Sequence, residues 1–215
     1  MKDYDFILKF ATSYEIENNR YSCLMIALQD ARKISGRDIN SGKMQNNILK
    51  NHQCIFNPFS FIGVINYLLI LELIGGIFKK KSYSNNNNNI YNALCQFSSL
   101  SVIDIYTIIA LRNSLAHNYG LINIPKAKKE YSTKLHKFIL LNDISSNLIV
   151  YPKNKWNLDY SDKSDETATQ ISIVNLQDLI ENVYQKVIEE INNNSVELTL
   201  KGEVEELKAR FTIRN

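Results

Sequence analysis

Glycine and proline are scarce in this chain, seven and three among 215 residues. That scarcity excludes an all-β sandwich with a turn every few residues and leaves helix as the default element. Cysteine is sparse and badly spaced for chemistry. Cys23, Cys54 and Cys95 are odd in number and far apart, so they form neither a disulfide framework nor a zinc motif. No Gly-rich phosphate loop and no nucleotidyltransferase Gly-Ser motif with paired acids is visible, which disfavours a kinase, an NTPase or a metallohydrolase. No metal or cofactor is expected. An excess of one charge is also missing: the formal net charge of +3 demands no nucleic-acid partner, but it permits one if the basic residues cluster. Charged residues in Met1-Lys2-Asp3-Tyr4-Asp5 occupy the place where a secretory leader would need an apolar core. The expectation is a cytoplasmic protein with free thiols.

What the chain does have is apolar content, 45%, enough to fill the core of one domain with an embellishment. From Phe59 to Phe78 the sequence is almost wholly apolar and is followed by Lys79-Lys80-Lys81, the pattern of a membrane span. Asn66, Glu72 and the Gly75-Gly76 pair stand against a span. The favoured reading is a central bundle helix covered by neighbours or a second subunit, with Asn57 as N-cap and Pro58 at the first helical position. No membrane partner is expected, with a span through 59–78 as the minor alternative.

Around that helix, an amphipathic stretch runs from Tyr4 to Ile34 with a break near Ser13, and a shorter helix fits between Ile39 and Ile55. Lys81 to Asn89, with five consecutive asparagines, reads as a solvated loop. After Pro125 the run KAKKEYSTKLHKFILL reads as one more helix with Leu135, Phe138 and Ile139 inside. The texture then changes. Asn147–Tyr151 and Thr167–Val174 are β-rich, and a helix capped by Asn175 carries Leu176, Leu179, Ile180, Val183, Val187 and Ile191 at helical spacing. Strand and helix are both open for Val196–Leu200 and Glu203–Phe211. The fold expected is mainly α, with residues 1–144 a helical bundle and 145–215 a β-hairpin and helical extension packed on it.

The chemistry concentrates in Leu111-Arg112-Asn113-Ser114-Leu115-Ala116-His117-Asn118-Tyr119-Gly120. Ser101 and Asp104 form a capping-box variant, Val102, Ile105, Ile108 and Ile109 an apolar stripe, and Gly120 a natural stop, so a helix is predicted over about 102–118. Asn113 and His117 lie one turn apart, while Arg112 and Tyr119 share a neighbouring face. Arginine offers phosphate a planar fork of permanent charge, and histidine exchanges a proton near neutral pH. The helix end by itself favours the imidazolium form of His117.

The pattern Arg-Asn, three residues, His, one residue, Tyr resembles the signature of the HEPN superfamily (higher eukaryotes and prokaryotes nucleotide-binding), many of whose members are metal-independent ribonucleases of toxin and defence systems. The resemblance covers about residues 1–141, and its specificity lies almost entirely in Arg112 to Tyr119. It implies an antiparallel helical bundle that dimerises so that two motif helices build one composite cleft. It also implies attack of an RNA 2′-hydroxyl on the adjacent phosphorus. Arg112 would then stabilise the phosphate charge, His117 carry the proton, Asn113 orient the ring or contact phosphate, and Tyr119 hold the sugar or stack a base. In one branch the tyrosine two after the histidine is adenylylated by a partner nucleotidyltransferase antitoxin, and Tyr119 stands at that position. A carboxylate in an apolar helix needs a partner, and Arg112 is the candidate for Glu72, with another cation or a water-exposed edge as the alternative. Lys126, Lys128, Lys129, Lys134 and Lys137 offer an RNA path along the cleft mouth, or else a solvated helix face.

Three classes compete. The first is an endoribonuclease acting as a toxin or antiviral effector. The second is a catalytically inactive HEPN module that binds nucleotide, RNA or a partner. The third is a membrane-anchored helical protein.

Overall fold

The computed structural model describes residues 3–45, 60–127, 131–142 and 147–214. The chain is mainly helical, about half of it in helices, with three small sheets among the described residues. It divides into two compact units. The first comprises residues 1–99 and 180–215, the second residues 100–179. The boundary expected at 144/145 therefore falls inside the second unit.

The first unit opens with α1 (Asp3–Thr12), a hairpin of β1 (Glu15–Glu17) and β2 (Arg20–Ser22), and α2 (Cys23–Ile34). The break read at Ser13 is thus a two-stranded turn, to which the chain's last strand, β9 (Thr212–Arg214), adds as a third. Ser22 ends the turn and caps α2: its hydroxyl accepts from Met25 N (3.2 Å) and donates to the Phe10 carbonyl (2.7 Å). The apolar run becomes α3 (Phe61–Ile77), 17 residues and so about 25 Å long. Among the described residues no helix is long and apolar enough to cross a membrane. Its N-cap is Ser60, whose hydroxyl accepts from Gly63 N at 3.2 Å, in place of the Asn57 start expected from sequence. Asn57 and Pro58 themselves, and most of the Ile39–Ile55 stretch, lie outside the described residues. Phe78–Lys80 leaves the helix as β3, which pairs with β8 (Val196–Leu198).

Helix α4 (Asn89–Phe97), which begins at the last asparagine of the loop read over Lys81–Asn89, packs on α3. The last asparagines are its start: Asn88 accepts from Tyr91 N at 2.9 Å. A Cβ at Gly75 would stand 1.9 Å from the Asn89 carbonyl, so the glycine permits the close approach of the two backbones. The unit is completed by most of α7 (Ile173–Asn192), by β8 and by α8 (Glu203–Phe211). Phe6, Phe10, Leu24, Leu28, Tyr67, Leu71, Ile74, Ile180, Val183 and Val187 form its core. Inside that core the fully buried Arg32 makes a two-pronged contact with Glu181 (Nε–Oε1 2.9 Å, Nη2–Oε2 2.7 Å). Tyr67 donates to the same carboxylate at 2.8 Å, and Arg32 Nη1 holds the carbonyls of Ile39 and Asn40. No polar end of this cluster is wasted on hydrocarbon.

The second unit is built on α5 (Val102–Asn118), with the bounds predicted. Ser101 accepts from Asp104 N (3.2 Å) and donates to the Asp104 carboxylate (2.7 Å). Ile105, Ile108, Ala110, Leu111 and Leu115 are buried, whereas Val102, read as part of the stripe, is exposed. The segment after Pro125 corrects the sequence reading. Instead of one helix it holds a four-residue α6 (Tyr131–Lys134) and a strand, β5 (His136–Leu141). Leu135, Phe138 and Ile139 fit a helical spacing, but His136 and Phe138 are the buried pair at period two, and a waiting edge decides between the readings. β5 lies between β4 (Ile122–Asn123) and β7 (Thr169–Ser172), antiparallel to the first and parallel to the second. β6 (Ile149–Val150) pairs antiparallel with β7, as the β-rich texture predicts, but within a four-stranded sheet rather than a lone hairpin. Helix α7 starts at Ile173 with the Ser172 hydroxyl accepting from Asn175 N at 3.3 Å, three residues earlier than the cap read at Asn175.

Candidate functional site

Helix α5 presents the motif in its last two turns. Leu111, Ser114 and Leu115 face inward and fix the roll of the helix, which leaves Arg112 and Asn113 half-buried and His117 exposed. The end of the helix is a C-terminal cap in which Tyr119, not Gly120, takes the left-handed conformation (φ 47°, ψ 34°). Its N–H donates to the Leu115 carbonyl and that of Gly120 to Ser114, which satisfies carbonyls the helix end would leave bare. A tyrosine there costs backbone strain that glycine would not. The residue is 72% exposed.

Three of the predicted residues converge on one nitrogen. Arg112 Nη1 lies 3.3 Å from Asn113 Oδ1 and 3.2 Å from His117 Nε2. A guanidinium can only donate, so the geometry makes Nε2 an acceptor and places the imidazole proton on Nδ1. The arrangement can take up a proton at Nε2 while a permanent positive charge stands beside it.

The other predicted residues are dispersed. Lys126 is exposed just past the motif, and Lys128 and Lys129 lie outside the described residues. Lys137 is withdrawn from any RNA path, since its ammonium is held by the carbonyls of Asp162 and Ser164 (both 3.0 Å) and by the Asp162 carboxylate (3.5 Å). Lys134 sits over the Tyr106 ring at 5.6 Å. Lys134 ends the short helix α6 and Lys137 lies on strand β5, so the two do not share the single helix face expected. Glu72 belongs to the first unit, half-buried in a groove of about 290 Å³ also lined by Arg210 and Phe211. Arg112 belongs to the second unit. Among the described residues no group of three or more His, Cys, Asp or Glu could hold a metal ion.

The same unit contains a pocket of about 440 Å³ that the sequence reading did not find. Helix α5 gives it Ile103 and Thr107, strands β5 and β7 give His136 and Thr169, and the segment after β6 gives Tyr151, Lys155 and Trp156. His136 Nδ1 lies 2.9 Å from Thr169 Oγ1, and burial pushes its pKa below the ordinary histidine value. The Tyr151 hydroxyl donates to Asp104 at 2.8 Å, and burial with that neighbouring carboxylate pushes it to about 12, which keeps it a neutral phenol. The available signal was the chain's one tryptophan, set in the polar stretch Lys153-Asn154-Lys155-Trp156.

No protein-family model, curated protein or solved structure matches this chain.

Proposed function

We propose that this chain is a metal-independent endoribonuclease of the HEPN type, serving as a toxin or antiviral effector. The observation that carries the reading is the contact of Arg112 Nη1 with His117 Nε2. A proton acceptor and a fixed cation within hydrogen-bond reach of each other are what cleavage by an internal hydroxyl requires. His117 Nε2 takes the proton of the RNA 2′-hydroxyl. The 2′-oxygen then bonds to phosphorus, and the bond from phosphorus to the 5′-oxygen breaks. Arg112 swings its fork from the ring to the nonbridging oxygens and stabilises the charge that builds there, and Asn113 steadies the guanidinium during that exchange. The products are a 2′,3′-cyclic phosphate and a 5′-hydroxyl, whose oxygen must itself be protonated.

One helix end cannot readily supply both proton transfers on opposite sides of a phosphate. A two-fold homodimer of HEPN-like bundles would add a second histidine on the leaving-group side. Exposed Lys126, with Lys128 and Lys129, would attract the RNA backbone. The deciding experiment incubates the purified protein with RNA and analyses the ends of any fragments. Cyclic phosphate termini produced in EDTA support the reading, and intact RNA with a folded protein selects the noncatalytic binding module instead.

A further inference from the structure

The pocket beside α5 has the chemistry of a ligand site, and nothing in the cleavage scheme uses it. Its volume of about 440 Å³ lies within the range of small-molecule sites, ~300–1,000 Å³. Ile103, Leu135, Pro152 and Trp156 give it apolar walls. The Trp156 ring is already immobilised: its N–H donates to the Asp159 carbonyl at 2.9 Å, and Tyr160 stands edge-on at 5.5 Å. Between these walls the polar atoms are uncharged. His136 is held neutral by burial, and Thr107, Thr167 and Thr169 offer hydroxyl oxygens with lone pairs still open. The two cations differ. Lys137 is saturated by Asp162 and Ser164, whereas Lys155 is exposed and has no ion-pair partner among the described residues. A flat, weakly polar ring carrying an anion fits this set, and a nucleobase with its phosphate is such a group.

We infer that this pocket is a subsite for one nucleotide of an RNA chain, with the base between Trp156 and the α5 side chains and the phosphate on Lys155. The inference rests on the ribonuclease reading for the source of the nucleotide. Placement on α5 links the two sites. Ile103, Thr107 and His117 project within about 80° of one another around the helix axis, and His117 is ten residues beyond Thr107, about 15 Å along it. RNA running along that side of the helix would seat one base in the pocket while a phosphate a few nucleotides away meets His117.

Trp156 is the only tryptophan of the chain, so its fluorescence reports the pocket directly. The test titrates the full chain carrying His117→Ala, which prevents cleavage, with adenosine monophosphate, adenosine, ribose 5-phosphate and a pentanucleotide RNA. The nucleotide and the pentanucleotide should change the emission, the pentanucleotide at lower concentration, while ribose 5-phosphate should not. Lys155→Ala should weaken adenosine monophosphate and the pentanucleotide by about threefold and leave adenosine unchanged. Ile103→Phe fills the pocket from a position that is 55% exposed, so folding is spared, and it should abolish every response. Silence toward all four ligands overturns the inference, as does unchanged binding to the Ile103→Phe protein. A pentanucleotide no tighter than the mononucleotide overturns the RNA assignment and makes the site one for a free nucleotide. These readouts need no cleavage, so failure of the ribonuclease reading would be seen separately, as intact RNA with the unsubstituted protein.

Discussion

Arg112 Nη1 and His117 Nε2 stand 3.2 Å apart, five residues and more than one helical turn from each other on α5. The arginine crosses the gap with its long side chain. The pair is therefore set by a side-chain rotamer, not by the backbone, and Asn113 Oδ1 at 3.3 Å from the same nitrogen helps to hold it.

The first prediction concerns these two side chains. His117→Ala and Arg112→Ala should each reduce RNA cleavage by about 10² to 10⁴-fold, the range for losing an acid-base group. Melting temperatures should stay near that of the unsubstituted protein, because neither residue is in the core. Arg112→Lys should restore little, since an ammonium cannot contact two phosphate oxygens as a fork. Full activity of the His117→Ala protein would sink the mechanism.

Assembly gives the second prediction. Ile62 and Leu69 are exposed on α3, which is apolar all round, and the composite site needs two copies. Sedimentation at micromolar concentration should show a dimer. A monomer that still cleaves RNA would remove the need for a composite cleft.

The third concerns Tyr119. Replacing it by glycine should stabilise the protein by about 1 kcal/mol, because the left-handed backbone no longer strains against a Cβ. The 72% exposure of the residue also suits modification. Co-expression with an adjacent nucleotidyltransferase should add the mass of AMP and silence cleavage, and Tyr119→Phe should escape both. Protection that persists in the Phe variant would assign restraint to another device.

Acid stability gives the fourth. The folded-state pKa of His136 is lowered by burial, so below the ordinary value, about 6.5, the unfolded chain binds a proton that the folded one refuses. Stability should be greatest above that pH and decline as the pH falls toward the lowered value. Urea denaturation at a series of pH values should show this slope, and His136→Gln should flatten it.

The fifth tests the buried ion pair. Glu181→Gln strands Arg32 without its carboxylate and should cost about 3 to 5 kcal/mol in chemical denaturation. Replacing both partners with apolar residues, Arg32→Met with Glu181→Leu, should cost less than the single change. A loss equal to the sum of the single losses would show that the two do not act as a unit.

How much of this was legible depended on whether the signal was local. Ser101, Asp104 and the 102–118 periodicity sit within one segment, and α5 came out with the bounds read. The motif could be read for the same reason, since Arg112, Asn113 and His117 share that helix. Residues 136–141 were misread because the spacing of Leu135, Phe138 and Ile139 suits a helix equally well. The edges supplied by Ile122–Asn123 and by Thr169–Ser172, the latter some thirty residues on, select the strand. The pocket was illegible for a similar reason: Thr107, His136, Trp156 and Thr169 meet only once the sheet has formed.

Arg32 and Glu181 are 149 residues apart, and the unit they hold together is made of the two ends of the chain. At ~5–20 residues per second of synthesis, Arg32 is made roughly seven to thirty seconds before its carboxylate exists. Residues 100–179 are contiguous and have no such wait. The nascent protein therefore completes α5 and the sheet packed on it while residues 180–215 of the first unit are still to be made, so the segment that carries Arg112 and His117 can fold ahead of the unit that joins the two ends of the chain.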